Sequence, residues 1–218
     1  MQLPEYMRQL DGLAGGYQRA QILYTALRLN FFAQLETPAS AEAVATTTGV
    51  SERGARMLLE GLVAVDLVEK ENGLFRNKPI ASACLVPGAP MDQTHILTHK
   101  GHGWAAWSEL DTAVKTGHSV SVESDRTPEE IRAFILGMHD IAQDSARGLV
   151  EVLDLSPYKR LLDLGGGPGS YTIAFLQANP ALTATILDMP QVVPIGQEVT
   201  AAAGLADRCE IQVAYAIG

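Results

Sequence analysis

The chain has 218 residues, 47% of them hydrophobic and 19% charged, which is enough for one large or two small domains with real cores. No apolar run approaches the ~20 residues needed to cross a bilayer, so a membrane-spanning protein is not expected. The net charge of −9 lies mostly in residues 101–218, and residues 1–100 are nearly neutral, so neither half has the basic excess typical of nucleic-acid binding.

The first residues and the cysteines indicate a reducing compartment. Residues 1–16 contain acidic side chains and lack the apolar core of a secretory signal. Cys84 and Cys209 are too few for a disulfide framework or an all-cysteine metal site. We therefore expect a cytoplasmic protein that handles a small molecule rather than nucleic acid or a membrane.

Three helices are predicted in the N-terminal third. Apolar residues at helical spacing cover residues 16–35 in a stripe wide enough to contact more than one surface. Ser40 is placed to cap a short helix that ends at Gly49, and Ser51 is placed to cap a third helix that reaches residue 64.

A hairpin follows at residues 65–77, because Asn72 and Gly73 both tolerate the positive φ of a tight turn. Helix, short helix, helix and hairpin is the order of a winged helix. That element could bind DNA through its third helix, or serve dimerisation or cover a substrate. Arg53 and Arg56 are the only basic residues of the third helix and two glutamates accompany them, so DNA binding is not favoured.

Residues 79–90 are predicted to form a connector, and residues 95–115 to be helical. The helical stretch carries three histidines and two tryptophans: His95, His99, His102, Trp104 and Trp107. A metal site is not favoured, because Gly101 and Gly103 loosen the helix and no carboxylate or cysteine completes the ligand set. The tryptophans are interpreted as core or pocket lining.

The next helix has a strong start signal. Thr127 is its N-cap, Pro128 its first residue and Glu130 its third, which together form a capping box. The apolar face continues to residue 153, and the Ser-Pro pair at 156–157 ends the helix. We expect this long helix to join an N-terminal to a C-terminal domain.

Strands then alternate with helices. The predicted order is strand 161–164, helix 171–178, strand 182–188, helix 192–203 and strand 208–213. This alternation is typical of an α/β fold with a parallel, doubly wound sheet.

The glycine turn after the first strand carries the chemistry. Its motif D-x-G-x-G-x-G begins at Asp163 and departs from the dinucleotide fingerprint, whose third glycine is replaced here by Ser170. A carboxylate at this strand end repels a pyrophosphate and suits a cationic ligand. Asp188, at the end of the next strand, is placed to accept hydrogen bonds from a ribose. S-adenosylmethionine fits both features; the alternative is that Asp163 only caps the turn and the glycines serve close packing.

These motifs resemble those of a known family. The segment LLDLGGGPGSYTIAFLQANPALTATILDMPQVV resembles the cofactor-binding core of S-adenosylmethionine-dependent O-methyltransferases of the caffeate, hydroxyindole and carotenoid type. The segments GWAAWSELDTAVKTG and FILGMHDIAQDSA are similar to that family's connecting helices. The resemblance implies a mainly helical winged-helix dimerisation domain at residues 1–90, connecting helices at 91–155, and the first part of a Rossmann-like domain at 156–218.

The resemblance also implies site residues and partners. S-adenosylmethionine would be the cofactor and S-adenosylhomocysteine the product, with no metal. The implied cofactor residues are Asp163, Gly165, Gly166 and Gly167 around the methionine moiety, Asp188 on the ribose and Met189 beside the adenine. By position, Met138 and His139 would face the cofactor or acceptor, and Trp104 and Trp107 would line the acceptor side, with plain helix packing as the alternative. A homodimer with entwined N-terminal helices is implied as well.

The sequence also departs from the family. Family members continue through further strands, a second acidic cofactor contact and the histidine that acts as general base. The Gly-Asp pair expected after the third strand is absent, and the first strand lacks its usual neighbour, which leaves an open apolar edge. We therefore expect a truncated chain, or one completed by another chain, with the catalytic base beyond Gly218.

The predicted function is methyl transfer to a hydroxyl of a small, aromatic or polyketide-like acceptor. Two alternatives are open. One is a family member that keeps the cofactor for non-methylating chemistry such as hydroxylation or decarboxylation. The other is a winged-helix regulator that senses a ligand.

Overall fold

The structure, a computed structural model, describes residues 3–120 and 127–215. The chain divides into two compact units, residues 1–101 (the N-terminal unit) and residues 102–218 (the C-terminal unit). Among the described residues, no helix combines the length and the apolar character needed to cross a membrane.

The N-terminal unit is helical with one hairpin. Its elements are α1 (Leu3–Ala14), α2 (Gly16–Arg28), a 3-10 turn (Phe32–Gln34), α3 (Ala41–Thr48), α4 (Glu52–Ala64), β1 (Val68–Glu71), β2 (Leu74–Asn77), α5 (Pro79–Cys84) and α6 (Thr94–His102). The largest side chains of its buried core are Phe31, Phe32, Leu35, Leu59, Leu62 and Phe75. The order of α2, α3, α4 and the hairpin is the predicted one, whereas α1 was not predicted.

Local signals in the sequence place these elements. The hydroxyls of Ser40 and Ser51 cap α3 and α4, each accepting a hydrogen bond at 3.1 Å from the backbone N–H three residues on. Helix α3 ends at Gly49, whose φ is 71°. The hairpin turns at Asn72 and Gly73 with φ of 49° and 82°, which confirms the predicted turn.

Two predicted segments of this unit differ from the structure. The helix predicted over residues 16–35 ends at Arg28, because Asn30 takes a φ of 54° that an α-helix cannot contain. The connector predicted over residues 79–90 begins with α5. Pro79 occupies the first position of that helix, where its missing N–H leaves no helical hydrogen bond unmade.

The C-terminal unit is α/β. Its elements are α7 (Trp104–Ser108), α8 (Leu110–Thr116), α9 (Pro128–Val152), β3 (Arg160–Leu164), α10 (Ser170–Ala178), β4 (Thr183–Asp188), α11 (Val193–Ala202) and β5 (Cys209–Val213). The capping box between Thr127 and Glu130 is confirmed at the start of α9. The helix predicted over residues 95–115 is instead α6, α7 and α8, interrupted at Gly103 and Glu109; glycine is a poor helix former.

Strands β3, β4 and β5 form a parallel sheet, as predicted, and β4 lies between the other two. One face of the sheet is buried beneath α9, α10 and α11, and its residues are Leu161, Ala184, Ile186, Cys209 and Ile211. Residues Leu164 and Leu187 pair at the carboxyl ends of β3 and β4. The segment that follows β3 is therefore brought beside Asp188, the last residue of β4.

The other face of β3 is apolar and open. Leu162 and Leu164 are 57% and 71% exposed there. Strand β3 pairs with β4 on one side, and no strand of residues 3–120 or 127–215 pairs with its other side. In the described part of the chain, β3 is therefore an edge strand with an exposed apolar face, as the sequence led us to expect.

Candidate functional site

The candidate site is the glycine turn, residues 165–169, which joins β3 to α10. Gly165, Gly167 and Gly169 have φ of 68°, 59° and 80°. Residues with a side chain rarely adopt these values, so the turn requires glycine at every second position. The alternation in the sequence thus follows from the backbone path of the turn.

Gly166 is needed for a different reason. A Cβ there would lie 2.6 Å from Oδ2 of Asp163 and 2.9 Å from Cγ2 of Ile186. At Gly165 and Gly167, by contrast, a Cβ would meet nothing within 4 Å. The turn is packed against the sheet on its inner side, and on its outer side its backbone faces open space that a ligand can enter.

Asp163 lies beneath the turn. Its Oδ2 accepts a hydrogen bond from Oγ1 of Thr172 at 2.6 Å, which ties the end of β3 to the first turn of α10. Its charge acts with burial to raise the pKa of the Cys209 thiol; burial is the larger cause. The sequence did not single out Thr172, a buried polar residue on an otherwise apolar helix face.

Asp188 reaches the turn from the neighbouring strand. Its Oδ2 accepts a hydrogen bond from the N–H of Gly167 at 2.7 Å, and its Oδ1 accepts one from the N–H of Met189 at 2.7 Å. The N–H of Gly165 donates to the carbonyl of Leu187 at 2.8 Å. The carboxyl end of β4 and the glycine turn are therefore joined by two hydrogen bonds, and Met189 is half exposed beside them.

Helix α11 supports the turn from a third direction. A Cβ at Gly196 would lie 3.0 Å from the carbonyl oxygen of Gly167 and 2.9 Å from Cδ1 of Ile211. Gly196 lets the helix backbone approach this closely. Gly196 was not among the predicted site residues, although a lone glycine inside a helix is itself a signal of close packing.

Helix α9 supplies a fourth contact. Nδ1 of His139 and Oγ of Ser170 are hydrogen-bonded at 2.8 Å. Ser170 is the first residue of α10 and is 8% exposed. The structure thus brings one predicted acceptor-side residue, His139, to the edge of the glycine turn, and half-buried Met138 precedes it on α9.

Trp104 and Trp107 lie on α7, which packs against α8. They are 42% and 71% exposed. The contacts of the glycine turn come from β3, β4, α9, α10 and α11. The two tryptophans on α7 are not among the residues that contact the turn.

A groove of about 510 Å³ lies between α9, α10 and α11. His139 and Ser170 line it, together with Gln143, Ala146, Arg147, Ile173, Ala174, Gln177, Glu198, Val199, Ala202 and Ala203.

The guanidinium of Arg132 donates two hydrogen bonds to the carboxylate of Glu198, at 2.7 and 2.8 Å, and so links α9 to α11. This pairing raises the pKa of Arg132 and lowers that of Glu198.

The histidines considered as metal ligands do not form a site in the described structure. Within residues 3–120 and 127–215, no three or more His, Cys, Asp or Glu side chains are grouped so that they could hold a metal ion.

A parallel sheet, an acidic residue followed by a glycine turn, and a second carboxylate at the next strand end are the features of a class of cofactor-binding α/β domain. Comparison of the chain with models of known protein families identifies this class. The model of the O-methyltransferase dimerisation domain matches residues 12–87, and that of the O-methyltransferase domain matches residues 108–213. The chain belongs to the O-methyltransferase family.

Individual relatives agree with this assignment. Acetylserotonin O-methyltransferase of Mus musculus is 30% identical over an alignment of 206 positions that covers 85% of this chain and 53% of the relative. The 3-hydroxy-5-methyl-1-naphthoate 3-O-methyltransferase of Streptomyces sahachiroi is 30% identical over 94% of this chain and 62% of its own length. The chain therefore spans about half to two thirds of these curated relatives.

A solved structure shows the same architecture. The crystal structure of human N-acetylserotonin methyltransferase in complex with SAM superposes with a TM-score of 0.82 at 25% identity. The match covers 96% of this chain and 66% of the human one. The predicted fold class, a helical N-terminal domain followed by an α/β domain with a parallel sheet, is confirmed.

Proposed function

We propose that the protein is an S-adenosylmethionine-dependent O-methyltransferase that acts on a hydroxyl of a small molecule. The observation that carries the proposal is the attachment of the Asp188 carboxylate to the glycine turn. Each carboxylate oxygen has two acceptor positions, so Asp188 can hold the turn and still accept from a ribose diol. Family membership supports the same function.

The residues of the turn fit this cofactor. The backbone of Gly165 and Gly167 borders open space, which allows close approach of a ligand to their main chain. The charge of Asp163 beneath the turn favours a ligand that carries a sulfonium and an ammonium group. Bound S-adenosylmethionine supplies the electrophilic methyl group and leaves as S-adenosylhomocysteine. The turn, with Gly166 as its tightly packed member, and Asp188 would orient the ligand, with Met189 beside its adenine.

We propose that the acceptor is aromatic or polyketide-like. The names of the mouse and Streptomyces relatives, an acetylserotonin O-methyltransferase and a hydroxynaphthoate O-methyltransferase, support a hydroxyl as the receiving group. Both names describe methyl transfer, which favours this reaction over the non-methylating alternative. The proposed acceptor-side residues are Trp104, Trp107, Met138 and His139.

A homodimer through the N-terminal helices is also proposed. Tyr6, Leu10 and Leu13 lie four and three residues apart on α1, and they are 46%, 58% and 76% exposed. An exposed apolar stripe of this kind favours burial against another chain. In this arrangement residues 1–90 form the dimerisation domain, residues 91–155 connect, and residues 156–218 begin the cofactor domain.

We further propose that the protein is cytoplasmic and does not bind nucleic acid. On α4, Arg56 is paired with Glu52 at 2.5 Å, which offsets the charge that a DNA-recognition helix would need. Cys84 and Cys209 are free thiols, as a reducing compartment would keep them.

The test is calorimetric titration of the whole protein with S-adenosylhomocysteine. Asp188→Asn keeps the size of the side chain and removes its charge, and we expect it to weaken binding about tenfold or more, since hydrogen bonds to charged groups contribute about 1.5–3 kcal/mol. Asp207→Asn, at an exposed carboxylate in the turn before β5, is the matched control and should leave the affinity unchanged. Absence of binding by the unaltered protein, or equal affinity for Asp188→Asn, contradicts the proposal.

A further inference from the structure

We propose that His139 is a positioning residue for the cofactor, and that it acts through Ser170 by holding the start of α10 and with it the end of the glycine turn. The inference rests on the proposed function, since it concerns the same ligand. It differs from direct contact between His139 and the cofactor, and the two make different predictions; a place for His139 on the acceptor side is compatible with either.

The contact joins parts of the chain that are far apart in sequence. Nδ1 of His139 and Oγ of Ser170 are 2.8 Å apart, and the residues are separated by 31 positions. The Ser170 side chain is almost completely buried, whereas His139 is half-buried on α9. A hydrogen bond that is partly buried in this way orients both groups more strongly than one on the surface.

Helix α10 depends on side-chain contacts of this kind for its start. Its N-cap is Gly169, which has no side chain to cap the first turn. Two side chains of that first turn are tied instead to other elements: Thr172 to Asp163 of β3, and Ser170 to His139 of α9. The first N–H groups of a helix have no partner inside it, so the orientation of this turn decides where they point.

The glycine turn is attached directly to this anchor. Gly169 precedes Ser170 and donates its N–H to the carbonyl of Gly166 at 2.9 Å. A segment with four glycines has many accessible backbone conformations, and each position that is fixed beforehand reduces the entropy lost on ligand binding. By holding Ser170, His139 therefore favours the conformation of the glycine turn that binds the cofactor.

Helix α9 is a firm support for this contact. It begins with the capping box at Thr127, and Arg132 forms its two hydrogen bonds with Glu198 of α11. Ile135 and Leu136 are buried one turn before His139, in a cluster with residues of α11. These contacts place His139 without help from the glycine turn, so the histidine can position the turn.

The experiment is a double-mutant cycle on the affinity for S-adenosylhomocysteine, measured by calorimetry on the whole protein. The variants are His139→Ala, Ser170→Ala and the double variant. We expect each single variant to bind about threefold to tenfold more weakly, which is the range for one lost hydrogen bond. The double variant should bind no more weakly than either single one, because both substitutions remove the same contact.

His139→Asn is the rescue variant, since an asparagine amide places a hydrogen-bonding atom near the position of Nδ1 whichever histidine tautomer is present. We expect it to recover most of the affinity. Ser145→Ala, at an exposed position on the same helix, is the control and should bind like the unaltered protein. Thermal unfolding of every variant reports any general loss of stability; Ser170→Ala carries the test if His139→Ala does not fold.

The outcomes separate the possibilities. Weaker binding by His139→Ala with full affinity for Ser170→Ala shows direct contact between His139 and the ligand and overturns the inference. Equal affinity for all variants shows a packing role only, which also overturns it. If the unaltered protein does not bind the ligand at all, the proposed function fails instead.

Discussion

At the scale of single residues, the site depends on two glycines, Gly166 and Gly196, at which a side chain would collide with its neighbours. Gly166 leaves no room for a Cβ between Asp163 and Ile186, and Gly196 lets α11 approach the carbonyl of Gly167. In both cases a methyl group would have to displace a neighbour that is itself held. These two glycines are needed for close packing, Gly165 and Gly167 are needed for the backbone path, and Gly169 is needed for both reasons.

We predict that Gly166→Ala disrupts the turn. The added Cβ overlaps the carboxylate of Asp163, so either that group or the turn must move. We expect the free energy of unfolding to fall by about 1–3 kcal/mol, as for other overpacked sites, and the affinity for S-adenosylhomocysteine to fall at least about tenfold. Chemical denaturation followed by tryptophan fluorescence reports on the C-terminal unit, because both tryptophans lie in it.

The control is Gly148→Ala on α9, where a Cβ would meet nothing within 4 Å. Alanine is the better helix former, so this variant should be neutral or up to about 1 kcal/mol more stable. A Gly166→Ala variant that matched Gly148→Ala in stability and affinity would show that the turn adapts without cost.

At the scale of elements, one side chain secures the passage from α10 to β4. The guanidinium of Arg208 donates to four backbone carbonyls, those of Leu176, Asn179, Pro180 and Leu182, at 2.8 to 3.1 Å. The last carbonyls of a helix lack partners inside it, and a cation near them is also favoured by the helix dipole. Arg208 thus holds the carboxyl end of α10, the helix that begins at the glycine turn.

We predict that Arg208→Met destabilises the C-terminal unit by about 2 kcal/mol, because methionine keeps the apolar stem and leaves four carbonyls without their charged donor. Arg160→Met, at an exposed arginine at the start of β3, should change stability by no more than about 0.5 kcal/mol. Urea denaturation followed by tryptophan fluorescence measures both variants. Equal urea midpoints for the two variants would mean that water hydrogen-bonds the four carbonyls as well as the guanidinium does, and would contradict the prediction.

At the scale of the whole molecule, association through α1 is the property open to test. Helix α1 presents its apolar stripe to solvent, and the matched dimerisation domain begins at residue 12, within this helix. We predict that Leu10→Glu combined with Leu13→Glu converts the dimer into a monomer, since two charges would have to be buried in the interface. Sedimentation velocity at several protein concentrations measures this change directly.

Arg8→Glu changes the net charge by the same amount at an exposed position on the opposite side of the helix and serves as the control. It should sediment as the unaltered protein does. A double glutamate variant that still sediments as a dimer would show that another surface holds the two copies together.

Much of the fold could be predicted from local patterns. The caps at Ser40, Ser51 and Thr127 act over three residues, so the sequence shows them directly. The helix predicted over residues 16–35 was too long because the periodicity of its apolar residues continues past Asn30, where the backbone turns. Periodicity shows which residues are buried, and it does not show where the chain changes direction.

By itself, the sequence determined the class of the site. Asp163, the alternating glycines and Asp188 occupy one strand end, one turn and the next strand end, and parallel β-α-β units bring such positions together. Only the tertiary structure decided what supports the turn: Ser170 by His139, the Gly167 carbonyl by Gly196, and the far end of α10 by Arg208. These partners lie 26 to 32 residues apart in sequence. Which side chains meet across such separations depends on how α9, α10 and α11 pack on the sheet, and no local pattern encodes that packing.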